Sequence, residues 1–264
     1  MKTSAPMRGL LFSGALLIVA AAPAAALSDA PYISAGDYDV IHVLAPPPAP
    51  GSEAERRDLE AVLGAQRTSS PERMRLAETD ATTDISAFAG VLGVDPAKLP
   101  GVAAFLRKVA RDTQFATTIG KDCWERPRPF VLDSRIHPPG RMQQLVASRP
   151  GERNTAPHDV SSPCPPLAPT PAYSYAYPSG HSTTGARTAM LLAEMVPEKR
   201  AEIFARGWDF GVSRIAGGVH YPSDVEAGRI DATAMVAVMM LNRDFQADLA
   251  VARAELRSAL GLSP

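Results

Sequence analysis

Proline decides first what this chain can become. Twenty-five of its 264 residues are proline. Each fixes φ and removes a backbone donor, so helices end before prolines or start on them, and central strands avoid them. The prolines crowd into two stretches. Ala45-Pro46-Pro47-Pro48-Ala49-Pro50 predicts that residues 27–50 form an extended, polyproline-like arm, either laid over a body or left loose. Arg126 to Pro178, with Gly140, Gly151 and Asn154 among its prolines, holds no sustained period and predicts a long ordered loop.

Everything between and after these stretches has helical texture. Ser52 with Glu55 fits a capping box ahead of a Leu59, Val62, Leu63 stripe, and Ser70-Pro71-Glu72 opens a second helix. A third covers Thr83 to Leu92. In a fourth, Val102 to Lys121, residues Val102, Phe105, Leu106, Val109 and Ala116 share one face. Helices resume at Ser182 to Val196, Glu198 to Ile215, Pro222 to Leu241 and Asp244 to Leu260. There is no strand alternation and no internal repeat. The expected fold is all-α, one helical bundle domain over residues 51–264.

Residues 1–26 read as an export signal. Lys2 and Arg8 precede the apolar run Leu10 to Ala22, and Ala24-Ala25-Ala26 places cleavage after Ala26. The expected location is periplasmic or secreted. The run is too short for a comfortable membrane span, the nearest cysteine is too far away for a lipid anchor, and Ala232 to Leu241 is shorter still. A net charge of −1 and a pI near 6.5 give no global field for nucleic acid or acidic membranes, so anion binding must come from a local cluster. Export permits a disulfide between Cys123 and Cys164, with two free thiols as the alternative. Two cysteines without a nearby His pair fall short of a structural zinc site.

Three clusters join a cation or histidine to a helix boundary. Lys121-Asp122-Cys123-Trp124-Glu125-Arg126-Pro127-Arg128-Pro129 ends the fourth helix, and its prolines let Arg128 turn its fork inward. Alone, it also reads as a solvated basic helix end. Pro178-Ser179-Gly180-His181 precedes an apolar helix, so the first N–H groups point at any bound anion and His181 stands ready to pass a proton. Ser213-Arg214 leads through Gly217-Gly218 to His220, with Asp224 in the first turn after Pro222. Asp224 can take the His220 Nδ1 proton and leave Nε2 its lone pair.

Together these residues resemble a known signature. Lys121 with six residues before Arg128-Pro129, then Pro178-Ser179-Gly180-His181, then Ser213-Arg214 with five residues before His220 and three before Asp224, is similar to the tripartite motif of the type 2 phosphatidic acid phosphatase superfamily. That superfamily includes bacterial class A non-specific acid phosphatases and vanadium haloperoxidases, and the motif gaps, leader and proline arm most resemble the class A enzymes. The resemblance implies hydrolysis of small phosphate monoesters, with phosphotransfer to alcohols as a side activity, on the helical fold of that superfamily. It implies His220 as nucleophile, His181 as general acid and then base, and Asp224 as the residue orienting His220. Lys121, Arg128, Ser179, Gly180 and Arg214 would cradle the phosphate, with no metal or cofactor, and relatives imply a homodimer. The alternatives are a vanadate-dependent haloperoxidase using the same pocket and a non-catalytic secreted phosphate-binding protein. Tyr173, Tyr175 and Tyr177 are candidates for contacting the leaving group, or for packing.

Overall fold

The computed structural model describes residues 27–142 and 175–263. The leader, its cleavage point, Tyr173 and Cys164 lie outside them, as does most of the long loop. Among the described residues there is no strand. The helices are α1 Val40–Val43, α2 Glu53–Thr68, α3 Pro71–Thr79, α4 Ala89–Leu92, α5 Pro100–Trp124, α6 Pro129–Leu132, α7 Gly180–Met195, α8 Arg200–Ala216, α9 Pro222–Met239 and α10 Arg243–Ala259. The all-α expectation holds.

Local chemistry sets the helix ends. Ser52, Ser70 and Ser179 accept from backbone N–H groups three residues on, and Asn242 caps α10 in the same manner. The Ser52 capping box forms by half, because the Glu55 carboxylate accepts from Gly51 N at 2.6 Å instead of from the cap residue. Proline stands in the first turn of α3, α5, α6 and α9. The expected third helix is split into a 3₁₀ turn, Ile85–Phe88, and the single turn α4, which Gly93 closes at φ 73°.

The larger core lies where α5, α7, α9 and α10 meet, around Phe105, Leu191, Leu192, Met235 and Phe245. Near-contact of backbones draws the helices together. A Cβ on Gly207 of α8 would sit 2.4 Å from Ala189 of α7, and one on Gly228 of α9 would sit 2.5 Å from the Ser179 carbonyl. These positions press α8 against the middle of α7 and α9 against its first turn. A smaller core of Val62, Ala77, Phe130, Ile136, Val219 and Tyr221 lies beneath the loop before α9.

Residues 27–50 lie against the helices, and the short helix α1 interrupts the extended chain expected of them, capped by Asp39. Tyr32 stacks edge-on to Phe245 and its hydroxyl donates to Asp248 at 2.5 Å, while Lys108 of α5 donates to Ala30 O at 2.6 Å. Tyr38 donates to the buried Asp231 of α9 at 2.7 Å. None of the described helices is long and apolar enough to cross a membrane.

Candidate active site

The loop ends before α7 and α9, the end of α5 and the last turn of α8 converge, and each brings its motif with it. Helix α5 stops at Trp124 because Glu125 adopts a left-handed turn, φ 42°. The chain beyond is extended through Arg128, so Arg126 and Arg128, two residues apart, both enter the interior. A Cβ on Gly120 would lie 2.7 Å from Pro178 Cδ, so the last turns of α5 sit directly under the Pro178-Ser179-Gly180-His181 segment. Lys121 then donates to the Tyr175 and Pro178 carbonyls at 2.6 and 2.9 Å.

His220 is held from both sides. Its Nδ1 lies 3.2 Å from Asp224 Oδ2, and Arg128 Nη1 lies 3.1 Å from its Nε2. A guanidinium only donates, so Nε2 carries the lone pair and Nδ1 the proton, the tautomer expected of a nucleophile. Gly218, at φ 69°, folds the chain back so that Val219 and His220 N–H groups donate to the Arg214 carbonyl at 3.1 and 3.3 Å. Asp224 caps α9 by accepting from Tyr221 N at 2.9 Å.

Ser179 caps α7 by accepting from Ser182 N at 3.3 Å, which leaves its hydroxyl proton for an incoming oxygen. Its own N–H donates to the Asp224 carbonyl at 3.0 Å, stitching the two motif loops together. Gly180 and His181 start the helix, where no intrahelical carbonyl can serve their N–H groups. His181 Nε2 donates to Ala81 O at 3.2 Å, with the ring stacked on Phe210. Its Nδ1 is therefore the nitrogen that can exchange a proton. Arg214 donates to Ala77 O, near the negative end of α3.

Burial and then Arg128 drive the Lys121 ammonium well below its ordinary value. Burial, with Arg128 and Arg73, lowers Arg214 to about 10, against the pull of Asp80. Arg214 Nε is buried without a hydrogen-bond partner among the described residues. Burial followed by Arg128 and Lys121 keeps His220 neutral, and burial followed by Arg214 brings His181 to about 3. Asp224 is raised by burial, with Arg126 the largest opposing influence. Among the described residues no group of His, Cys, Asp and Glu could hold a metal ion. A donor set this rich in cations suits a polyvalent oxyanion.

The structure therefore brings together all eight predicted residues, Lys121, Arg128, Ser179, Gly180, His181, Arg214, His220 and Asp224. Several supporting residues come from elements distant in sequence. Arg126 bonds Asp224 and Asp58, and Asp80 bonds Ser213 and Arg206 beside the carbonyls that hold His181 and Arg214. The signal for Arg126 is its spacing of two from Arg128 around Pro127, while its carboxylate partners come from α2 (Asp58) and α9 (Asp224), far away in sequence. Tyr177 is a packing residue, buried edge-on against Trp124 with its hydroxyl on Ala45 O. Tyr175 donates to Glu125. Cys123 is buried and is not a free thiol. Its expected partner Cys164 lies outside the described residues.

The pattern of the PAP2 superfamily matches residues 102–247, which contain every predicted site residue. An acid phosphatase of Zymomonas mobilis subsp. mobilis is 32% identical over 228 residues, 84% of this chain and 76% of that protein. A non-specific acid phosphatase of Salmonella typhimurium is 31% identical over 220 residues, 81% of this chain and 78% of that protein. One from Providencia stuartii is 43% identical over 79 residues, 30% of this chain and 32% of that protein.

Proposed function

Because the chain belongs to the PAP2 superfamily and is a phosphatase, we propose that it is exported and hydrolyses small phosphate monoesters through a phosphohistidine on His220. The observation that carries this reading is the convergence of Lys121, Arg128 and Arg214 on a neutral His220, with Asp224 as the carboxylate behind it. Binding alone would require the cations but not an oriented imidazole lone pair.

Uncatalysed monoester hydrolysis is so slow that the protein must lower the barrier by roughly 20 kcal/mol or more. Fixed charge about the equatorial oxygens supplies most of this. Lys121, Arg128 and Arg214, with the Ser179 hydroxyl and Gly180 N–H, form that cradle. As phosphate oxygens take over the Arg128 N–H, the His220 Nε2 lone pair attacks phosphorus in line. The N–P bond forms while the P–O bond to the leaving group breaks, and His181 Nδ1 gives the departing oxygen its proton. Neutral His181 then takes a proton from water as the water attacks phosphorus and the N–P bond breaks. An alcohol in place of water gives phosphotransfer. Asp224 stabilises the positive charge that His220 carries in the intermediate.

The pH dependence follows with a definite sign. With the protein's own charges His181 sits at about 3, so it is neutral through most of the acid range. A phosphate dianion offsets Arg214, Arg128 and Lys121 and raises His181, which takes up a proton from solvent as the substrate binds. Activity therefore falls as pH rises through the His181 value in the complex, and falls at low pH as the His220–Asp224 pair takes up protons. The optimum on an aryl phosphate is acidic, and a flat or alkaline profile contradicts the scheme. His181→Ala is expected to slow alkyl phosphates far more than p-nitrophenyl phosphate, since only poor leaving groups need the proton. Equal losses on both contradict the assigned role. Protein cations make a metal unnecessary, so chelator leaves activity in place, and loss in chelator overturns that point. Bromide oxidation with vanadate and peroxide tests the haloperoxidase alternative directly.

A further inference from the structure

Behind Asp224 the row of charge continues to Arg126 and Asp58, which the reaction scheme leaves unused. Asp224 is fully buried, and its two oxygens face different partners. Oδ2 accepts from Tyr221 N and His220 Nδ1, whereas Oδ1 accepts from Arg126 Nη1 at 2.5 Å. Arg126 is itself buried. Its Nη1 also donates to Ser223 Oγ at 2.7 Å, its Nη2 donates to Asp58 Oδ2 at 2.8 Å, and its Cζ stands 3.9 Å from the centre of the Tyr221 ring. Ser223 donates its hydroxyl to the same Asp58 carboxylate. The result is a row of alternating sign, Asp58, Arg126, Asp224, that ends on the His220 ring.

We propose that Arg126, clamped by Asp58 of α2 and Ser223 of α9, is a positioning residue for phosphoryl transfer, holding Asp224 so that its second oxygen aims the His220 ring. The inference rests on the phosphohistidine reading. A planar fork reaches three acceptors at fixed angles, which a lysine cannot reproduce. Without it, Oδ1 is a buried anionic oxygen lacking a donor, and the carboxyl either takes a proton or turns away. Both outcomes weaken support for the positive charge on phosphorylated His220. The charged and titratable groups around Asp224 are Arg126 and Lys121 from the end of α5, His220 and Tyr221 before α9, and Tyr177 before α7. Those around Arg126 are Asp58, Asp224 and Tyr221, with Glu55 beyond Tyr221. Burial alone would lower Arg126, but Asp224 and Asp58 leave it raised, so it stays charged.

The test measures kcat and KM against pH on an aryl phosphate for the full chain and for Arg126→Met, Arg126→Lys and Asp58→Asn, alongside thermal denaturation. For Arg126→Met the expectation is a kcat loss of ~100-fold with KM within about threefold, and an acid limb moved up by about one pH unit because Asp224 protonates more readily. Arg126→Lys keeps the charge and loses the fork, so its limb moves less while kcat stays about tenfold down. Asp58→Asn removes the anchoring anion, so kcat falls while the limb moves downward. A merely structural role lowers the melting temperature and leaves the limb of the surviving enzyme in place, which overturns the proposal. If Arg126→Met does not fold, kcat within about twofold of wild type in the other two variants overturns it. The underlying reading fails separately. Wild-type protein that traps no phosphohistidine sinks the scheme, whereas a trapped intermediate with unmoved variant profiles sinks only the role of Arg126.

Discussion

Two lysines of the same helix, Lys108 and Lys121, show how one residue type serves two purposes. Lys108 is buried and faces a carboxylate, Asp112 Oδ2 at 2.8 Å, with Ala30 O at 2.6 Å and the Tyr32 ring 3.9 Å from its ammonium. Its charge is matched on the spot, and it fastens the arm to α5. Lys121 meets only the Tyr175 and Pro178 carbonyls and makes no ion pair among the described residues. A matched buried charge is complete in itself. An unmatched one beside Arg128 and Arg214 gains most when an anion arrives from outside.

The largest effect expected belongs to His220, the residue beside Lys121, Arg128 and Arg214. His220→Ala should lose turnover by at least ~10⁴-fold while keeping its far-UV circular dichroism. Residual turnover within about a hundredfold of wild type would remove His220 from the nucleophile's place. The lysines then separate the two regions directly. Lys121→Met should lower kcat/KM by ~10²–10³-fold and leave the melting temperature unchanged or raised, because it removes an unpaired cation. Lys108→Met should leave kcat/KM within about twofold and cost about 3 kcal/mol in urea unfolding, because Asp112 keeps a charge without its cation. If both variants change both quantities alike, the comparison fails.

A buried anion gives the mirror case. Asp231 meets the Tyr38 hydroxyl at 2.7 Å and the Thr183 hydroxyl at 3.4 Å, and burial raises its carboxyl to about 6 against the pulls of Tyr38 and Arg187. A folded value above the unfolded one means that this group's contribution is fully present below about pH 4 and is lost as pH rises through about 6, amounting to roughly 3 kcal/mol. Asp231→Asn should therefore flatten the dependence of unfolding free energy on pH across that window. Parallel curves for wild type and variant would exclude Asp231 as the cause. The smallest effect is a fraction of a proton. Calorimetry of inorganic phosphate binding near pH 6, in buffers of different ionisation heat, should register net proton uptake that His181→Ala reduces. Release of protons, or equal uptake in both proteins, contradicts the coupling between His181 and the anion.

Much of this was legible in sequence because it is local. Helix starts at Ser52, Ser70 and Pro222 are set within one turn, and so is the His220–Asp224 pair, where a carboxylate at the third helical position meets the side chain two residues before the helix. What was not legible depends on long-range closure. Asp58 looks like a surface acid on an amphipathic helix until α2 lies against the α9 loop, and Asp80 looks like a helix end until Arg206 and Ser213 meet it. The Ala81 carbonyl, which decides that His181 exchanges protons through Nδ1, carries no side-chain signal at all. The arm illustrates the same limit: its prolines predict an extended chain, but Tyr32 and Tyr38 hold it only because Asp248 and Asp231 wait on distant helices.

The central claim is that the nucleophile is His220 Nε2, and trapping tests it most directly. Protein mixed with a ³²P-labelled aryl phosphate and quenched into denaturant within milliseconds should carry label that survives alkali, is released by acid and maps to the peptide containing His220. The label should be absent from His220→Ala and should persist longer in His181→Ala, where water loses its base. Turnover without any labelled protein, or acid-stable label on another residue, would contradict the account.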